Sequence, residues 1–246
     1  MLKPLHLAIG VFDGVHNGHR YLIGEAIRNA RATNAWAGAL TFHPHPKKIL
    51  HLADAPQLIY PIQQRYWLLK KLGCDYVFIK KFTEAWSQYL PEKFFAYLKR
   101  LFPNLKCLYV GEDFHFGHNR CGDTTTLNQL CQKDGTIELQ VFKHLKFANE
   151  RICSSRIRQV LLKGFIEEAN ALLGLPYQCI GHVDEHCIFK HHCELIPKDG
   201  YYNCTLKNKQ FQRSVNLHIQ SEQIQLELLP QSLLKKACIL EFKSTH

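Results

Sequence analysis

Hydrophobic and polar positions alternate along the first two thirds of the chain in a pattern that predicts strands and helices in turn. Buried strands are predicted where short apolar runs occur, at 7–11, 36–42, 75–79 and 107–110. Helices are predicted where apolar residues recur every three or four positions, at 22–30, 60–72, 91–100 and from about 124. This alternation predicts an α/β fold with a parallel, doubly wound sheet.

The pattern changes at about residue 176. A half-buried or edge strand at 137–142 and a short amphipathic helix at 166–173 come before the change. After it, helical periodicity fades and short strands are predicted at 178–183, 201–206, 215–219, 223–228 and 238–242. We therefore expect two domains, 1–176 and 177–246, the second being a small antiparallel β unit.

Composition limits the class of protein. Of the 246 residues, 46% are hydrophobic and 11% aromatic, enough to build a core, and no apolar run is long enough to cross a bilayer. The formal charge of +10, with 15 histidines not counted, favours a phosphate-rich partner. Positive residues are scattered in pairs such as Lys47-Lys48 and Lys70-Lys71, which argues against a nucleic-acid-binding stripe.

The ten cysteines are dispersed, and no Cys-x-x-Cys occurs. The N-terminus runs directly into the first predicted strand without a signal-peptide pattern. Reduced thiols and a cytoplasmic protein are the expectation.

The first strand is followed by a turn that carries candidate chemistry. Gly10, Gly14 and Gly18 allow close approach of the backbone to a ligand, and His16 and His19 lie where the strand passes into a helix. A helix N-terminus attracts phosphate, and two imidazoles beside it can donate hydrogen bonds to a polyphosphate. A strand-to-helix turn with two surface histidines is the structural alternative.

Two further loops follow predicted strands. Pro44-His45-Pro46 comes after the second strand, and its prolines predict an irregular loop at the sheet edge where ligands bind in α/β proteins. The segment 111–117 comes after the fourth strand and contains Asp113 and Phe116, with Arg120 soon after it. An aromatic face and a carboxylate suit a flat heterocycle, although Phe114 and Phe116 are equally suited to filling a core.

A second helix N-terminus is predicted near residue 154. Ser154 and Ser155 are good N-cap residues, and Arg151 and Arg158 supply guanidinium groups that suit phosphate oxygens. We predict that folding brings this group and the histidine pair to one anion-binding cleft.

The run Gly10-Val-Phe-Asp-Gly-Val-His-Asn-Gly-His19 resembles the FMN adenylyltransferase module of the bacterial bifunctional riboflavin kinase/FAD synthetase family. That module belongs to the His-x-Gly-His nucleotidyltransferase superfamily, whose fold is Rossmann-like. The Pro-His-Pro loop, the 111–117 block and the 150–158 segment also resemble this family, with Cys153 in place of a serine and Ser155 in place of a threonine.

The resemblance implies adenylyl transfer from ATP to FMN, giving FAD and pyrophosphate, with Mg²⁺ bridging the phosphates and no protein ligand named for it. It implies catalytic roles for His16, His19, Arg151 and Ser154. Nucleotide contacts are implied for Gly10, Val11, Phe12, Asp13, Gly18, Ser155 and Arg158. Flavin contacts are implied for Pro44, His45, Asp113, Phe116 and Arg120.

The segment 177–246 resembles the family's riboflavin kinase barrel only faintly. It lacks the Pro-Thr-Ala-Asn segment that holds ATP and metal in that barrel. We expect a degenerate, truncated domain without kinase activity, acting as a scaffold or interface. Histidine and cysteine crowd together between 182 and 204, a set of zinc-ligand types, but their spacing matches no familiar zinc pattern and we expect no metal.

Two other functions stay open at this point. An adenylyltransferase acting on nicotinate mononucleotide or phosphopantetheine would also use His-x-Gly-His, although the Phe-Asp-Gly-Val extension favours flavin. The other is a non-enzymatic protein that binds flavin nucleotides or nucleic acid, which the full set of phosphate motifs disfavours. Neither the oligomeric state nor the role of the tail follows from the sequence.

Overall fold

The computed structural model describes residues 3–227 and 236–245. The chain divides into two compact units, Met1–Pro56 with Arg65–Lys146, and Gln57–Gln64 with Phe147–His246. The chain therefore leaves the first unit for eight residues and returns to it before the second unit is completed.

The first unit is built on a five-stranded sheet in the order β3-β2-β1-β4-β5. Its strands are β1 Leu5–Ile9, β2 Trp36–His43, β3 Tyr76–Lys81, β4 Leu105–Gly111 and β5 Glu138–Phe142. All four pairings are parallel, which confirms the predicted doubly wound sheet. β5 lies at an edge, as its half-polar pattern predicts.

Helices connect these strands. They are α1 Asn17–Ala32, α2 Pro46–Ile49, α3 Ile62–Leu72, α4 Glu84–Ser87, α5 Pro91–Leu101 and α6 Thr124–Asp134. Pro46 and Pro91 each begin a helix, where the missing N–H costs nothing. The loop predicted at 44–46 thus gives way to α2 after two residues.

One face of the sheet is buried under α5 and α6. Leu7, Leu108 and Val110 from the strands share a continuous core cluster with Leu98 of α5 and Leu127 of α6, each fully buried. Burying such side chains contributes about 1.5–3 kcal/mol each. This core fixes the strand ends from which the loops of the candidate site extend.

Four short elements precede the barrel of the second unit. They are β6 Lys146–Phe147, which straddles the boundary, β7 Glu150–Arg151, α7 Ser154–Lys163 and α8 Ile166–Leu173. The barrel strands are β8 Gln178–Val183, β9 Ile188–His191, β10 Gly200–Lys207, β11 Gln212–Gln220, β12 Gln223–Leu226 and β13 Ala237–Thr245. Leu228, the last residue of the strand predicted at 223–228, lies outside the described residues.

The barrel closes in the order β10-β11-β12-β9-β8-β13 with antiparallel pairing, which confirms the predicted antiparallel β unit. β9 is the strand that the sequence analysis missed. The interior of the barrel is apolar, with Val183, Phe189, Leu217 and Phe242 at most 1% exposed.

Residues 57–64 contact other residues of this second unit. The Leu58 N–H donates to the Glu194 carboxylate at 3.1 Å, and the Gln64 amide donates to the Gln178 carbonyl at 3.2 Å. The Tyr60 ring stacks on Tyr177, with centroids 5.6 Å apart. The domain boundary predicted at residue 176 falls between α8 and β8, inside this unit, and stays a prediction.

Within the described part of the chain, no helix combines the length and the apolar character that a membrane span requires. All ten cysteines lie among the described residues and are free thiols.

Candidate active site

Strand order locates the candidate site in the first unit. From β1 the chain moves outward on one side through β2 and β3, and it then crosses to place β4 and β5 on the other side of β1. The reversal lies between β1 and β4, and ligands of open α/β sheets bind outside the carboxyl ends of strands at such a point. The loops that follow these two strands are the histidine turn, residues 10–16, and the 111–117 loop.

The histidine turn has an unusual backbone. Phe12 (φ 52°), Gly14 (φ 82°) and Val15 (φ 43°) all take left-handed conformations. A β-branched residue at positive φ is strained, so the surrounding structure must hold Val15, which is fully buried. Turns of this kind concentrate at ligand-binding sites, which makes the strain itself a functional indication.

Gly10 serves the turn in a way that the sequence did not indicate. A Cβ at this position would lie 2.7 Å from Cε1 of Phe12, so glycine makes room for the phenyl ring. The Phe12 ring is 2% exposed and meets the His19 ring edge-on, with centroids 5.3 Å apart. Gly18, in contrast, lies inside the first turn of α1.

His16 and His19 are held together at the start of α1. His16 is the N-cap residue, and its Nδ1 accepts a long hydrogen bond of 3.4 Å from the His19 N–H. The two rings stack with centroids 3.6 Å apart and planes 18° apart. Since Nδ1 of His16 accepts, its Nε2 is the nitrogen assigned the proton in the neutral ring and is the atom able to donate.

His19 is held neutral by its surroundings. Burial is the largest cause, followed by the charges of His16, Arg65 and His144, and together they lower the pKa of His19 well below its ordinary value of 6.5. Its Nδ1 is buried and finds no hydrogen-bond partner within residues 3–227 and 236–245. A buried, unsatisfied ring nitrogen beside a strained turn is suited to a ligand atom.

Arg65 is a buried residue beside the histidine turn that the sequence analysis did not select. It is fully buried, and its Nη1 donates to the Val11 carbonyl at 2.6 Å. The signal was available: Arg65 is three residues after Ile62 and four before Leu69, so the three share one helix face.

The loop after β2 is more ordered than predicted. His45 is 9% exposed and caps α2, its Nδ1 accepting from the Lys47 N–H at 3.1 Å. The peptide bond between His43 and Pro44 is cis. β1 and β2 are parallel neighbours, so this loop and the histidine turn extend from the same sheet edge.

The predicted flavin contacts in and just after the 111–117 loop differ in their exposure. Asp113 has a half-exposed side chain, and its Oδ1 is 3.6 Å from Nε2 of His144. Phe116 is 7% exposed and packs in the core against Phe94, with centroids 4.9 Å apart. Arg120 is exposed, at φ 60°, at the end of a short 3-10 turn. The carboxylate is accessible to a ligand, whereas the Phe116 ring has the packing role that the sequence analysis left open.

His144 is a site residue that sequence reasoning missed. It follows β5, its N–H donates to the Glu112 carboxylate at 2.8 Å, and its ring lies near both Glu112 and Asp113. It also lowers the pKa of His19, so it links the 111–117 loop to the histidine turn. Its sequence context, between a strand and a two-residue hairpin strand, carries no motif.

The serine–arginine group lies in the second unit. The N-cap of α7 is Cys153, without a side-chain cap bond, so the prediction that Ser154 or Ser155 caps the helix is wrong by one residue. Both serines lie in the first turn, and Arg158 Nη1 is 3.5 Å from Oγ of Ser155. Arg151 lies in β7. First-turn N–H groups have no partner within their own helix, which makes this end attractive to anions.

The neighbouring Arg156 has a structural role. It donates to the Phe147 carbonyl at 2.9 Å and to Glu168 at 2.7 Å. It thereby ties β6 to α8.

Among the described residues, no group of three or more His, Cys, Asp or Glu side chains is arranged to hold a metal ion. The His- and Cys-rich stretch from 182 to 204 is included in those residues. His182 lies in β8, His191 in β9 and Cys204 in β10, whereas His186, Cys187, His192 and Cys193 lie in the loops between these strands.

A five-stranded parallel sheet with paired histidines at the first strand-to-helix turn defines a nucleotidyltransferase-type α/β protein. The FAD synthetase family matches residues 2–156, which is more than half of the chain. The chain belongs to the FAD synthetase family.

Curated relatives agree with this membership. A bifunctional riboflavin kinase/FMN adenylyltransferase of Listeria monocytogenes is 32% identical over 179 residues, covering 72% of this chain and 56% of the relative. A FAD synthetase of the same organism is 29% identical over 198 residues, covering 80% and 79%. The chain therefore spans little more than half the length of its bifunctional relatives.

A solved structure supports the fold. The crystal structure of a protein described as a macrolide-efflux protein from Streptococcus pneumoniae has a TM-score of 0.87 over 100% of this chain and 86% of its own. At 22% identity, this likeness concerns the fold alone.

Proposed function

We propose that this protein transfers AMP from ATP to FMN, giving FAD and pyrophosphate. The observation that carries the proposal is the stacked His16–His19 pair at the switch point of the sheet, inside the segment that matches the FAD synthetase family. Family membership favours FMN over nicotinate mononucleotide or phosphopantetheine as acceptor, and it disfavours a purely binding protein.

The chemistry is an in-line displacement at phosphorus. An oxygen of the FMN phosphate forms a bond to the α-phosphorus of ATP while the bond from that phosphorus to the α–β bridging oxygen breaks. Pyrophosphate leaves with the electron pair. No covalent protein intermediate is required, so the protein contributes positioning and charge stabilisation.

The histidine turn supplies that stabilisation. Nε2–H of His16 is a donor, and neutral His19 offers a second imidazole at the positive end of α1. Negative charge grows on the leaving pyrophosphate, and pre-positioned donors bind it most tightly in the transition state. Gly10, Val11, Phe12, Asp13 and Gly18 would shape the floor beneath the phosphates.

The serine–arginine group would bind the β- and γ-phosphates. Its support is chemical, namely hydroxyls and guanidinium groups at a helix N-terminus in the part of α7 that the family match reaches. Arg151 and Ser154 would act on the reacting phosphates, and Ser155 and Arg158 would hold the nucleotide.

The flavin would lie along the loops after β2 and β4. Asp113 is the strongest candidate because its carboxylate is half exposed, and Arg120 is exposed as well. His45 and Phe116 are buried and Pro44 is partly buried, so the three would shape the flavin pocket from behind.

Mg²⁺ would enter with its nucleotide. The described residues contain no group of three or more metal-ligand side chains. The ion would therefore bind as part of a MgATP substrate, with phosphate oxygens and water as its ligands.

The test is an acceptor panel. Purified protein is incubated with ATP and Mg²⁺ and with FMN, nicotinate mononucleotide or phosphopantetheine in turn, and pyrophosphate and the adenylylated product are quantified by chromatography. Formation of FAD from FMN, with no adenylylated product from the other two acceptors, supports the proposal. Pyrophosphate release with another acceptor, or none with any, contradicts it.

A second proposal concerns the barrel. Because the chain lacks the Pro-Thr-Ala-Asn segment, we propose that it does not phosphorylate riboflavin and that the barrel serves as a scaffold or interface. Riboflavin and ATP incubated with the protein should give no FMN, and stoichiometric FMN formation would overturn this proposal.

A further inference from the structure

We propose that Arg65 is a positioning residue for the histidine turn: its guanidinium anchors the Val11 carbonyl and brings a buried positive charge to the anion-binding end of that turn. The inference rests on the proposed function for what the turn binds. Arg65 matches no part of the motifs that identify the site, and it stands out only because it is fully buried.

The first step is the hydrogen bonding at Val11. Its carbonyl accepts from Arg65 Nη1 at 2.6 Å and from Thr41 Oγ1 at 2.8 Å. Two donors occupy both lone pairs of this oxygen, so the orientation of the peptide plane between Val11 and Phe12 is fixed. Thr41 is itself fully buried near the end of β2.

The second step carries this orientation to the histidines. Phe12, the next residue, is left-handed at φ 52° and places its ring edge-on to His19. A left-handed phenylalanine persists only where its neighbours hold it, and the anchored peptide is one such restraint. Loosening the Val11 carbonyl would therefore let Phe12 relax and would move His19 relative to His16.

The third step is electrostatic. Burying a guanidinium is costly, so a fully buried arginine is expected to act on its surroundings. Arg65 is among the groups that lower the pKa of His19, after burial and His16. The same charge attracts phosphate, and it is permanent because arginine does not deprotonate in proteins.

Four variants separate anchoring from charge. Arg65→Met removes both, Arg65→Lys keeps the charge without the planar fork, and Thr41→Val removes the second donor but leaves the charge. Lys71→Met is the matched control, since it removes one positive charge from the exposed side of the same helix.

Two readouts are used. The imidazole of His19 is titrated by NMR in protein with labelled histidine and no nucleotide, its signal being assigned from a His19→Gln sample. Turnover of FMN is measured as kcat and as KM for ATP.

Arg65→Met should raise the titration midpoint of His19 and lower kcat about 10- to 100-fold, since small misplacements of reacting groups have effects of this size. Arg65→Lys should show the wild-type titration midpoint of His19 and a kcat between those of Arg65→Met and the wild type. Thr41→Val should lower kcat with an unchanged midpoint, and Lys71→Met should change neither quantity.

A folded Arg65→Met protein with wild-type kcat and an unchanged His19 midpoint would overturn the inference, and so would a fall in thermal stability alone. If Arg65→Met does not fold, Arg65→Lys and Thr41→Val carry the same comparison. If the wild type makes no FAD but Arg65→Met still raises the titration midpoint of His19, the proposed function is wrong and the anchoring role of Arg65 stands.

Discussion

The imidazole of His16 lies flat against that of His19, with ring centroids 3.6 Å apart, at the point where β1 gives way to α1. Two protonated rings at this separation would repel each other. Burial and the surrounding cations also lower the pKa of His19, so the ring is neutral at pH 7. In the proposed function, a bound polyphosphate would bring negative charge to these two rings.

Loss of His19 should affect turnover more than binding. In a His19→Gln protein we expect kcat for FAD formation to fall about 10²-fold, the size seen when one pre-positioned oxyanion donor is removed. KM for ATP should change much less, because the lost interaction strengthens mainly in the transition state. His51→Gln is the control, since His51 is exposed at the end of α2. Full turnover by His19→Gln would remove His19 from the catalytic set.

Gly10→Ala should damage the turn. The added methyl would lie 2.7 Å from Cε1 of a buried ring, and so Phe12 must move or the turn must open. We expect a loss of about 1–3 kcal/mol of stability together with lower turnover. Gly24→Ala is the matched control, because a methyl there meets nothing within 4 Å and alanine is favoured inside a helix by about 0.5–1 kcal/mol. Equal melting temperatures for the two variants would contradict this prediction.

Acid should destabilise the fold through His19. The pKa of His19 is lower in the folded protein than its ordinary value of 6.5, so the unfolded chain binds more protons between those two values. Stability from this group is therefore complete above pH 6.5 and is lost as the pH falls through the folded pKa. Urea unfolding of wild type and His19→Gln over this range measures it. The wild type should lose more stability on acidification, and parallel curves would argue against the effect.

The barrel has one position where a methyl group cannot fit. A Cβ at Gly181 would lie 2.1 Å from the carbonyl oxygen of Lys190, a main-chain atom that cannot turn aside. Gly181→Ala should therefore break the pairing of β8 with β9. Hydrogen exchange should become faster at 178–191, whereas Gly24→Ala should leave these amides protected. Unchanged protection in Gly181→Ala would place the two strands further apart than described.

The histidine turn and the parallel sheet could be predicted because their signals are local. An apolar run, spaced glycines and paired histidines lie within 19 residues, and each strand has its own apolar run. The capping error at α7 has a physical origin, since serine is favoured both as N-cap and in the first turn, and only the backbone angles of Cys153 distinguish these positions.

Arg65 and His144 were missed for a different reason. Their roles depend on partners distant in sequence, the Val11 carbonyl for Arg65 and the Glu112 and Asp113 carboxylates for His144. The position of Arg65 on an otherwise apolar helix face was visible in the sequence, but arginine is exposed in most proteins. β9 was missed because its four residues, two apolar followed by two polar, form no alternating pattern.

The excursion of residues 57–64 matters for anyone who wishes to shorten this gene. A stop codon after residue 146 would leave all five parallel strands encoded, and one after residue 176 would add α7 and α8. Either truncation deletes Tyr177, Gln178 and Glu194, the partners of Tyr60, Gln64 and Leu58. The two units are interleaved along the polypeptide. Either truncation therefore leaves residues 57–64 in the chain without the partners that they contact in the second unit.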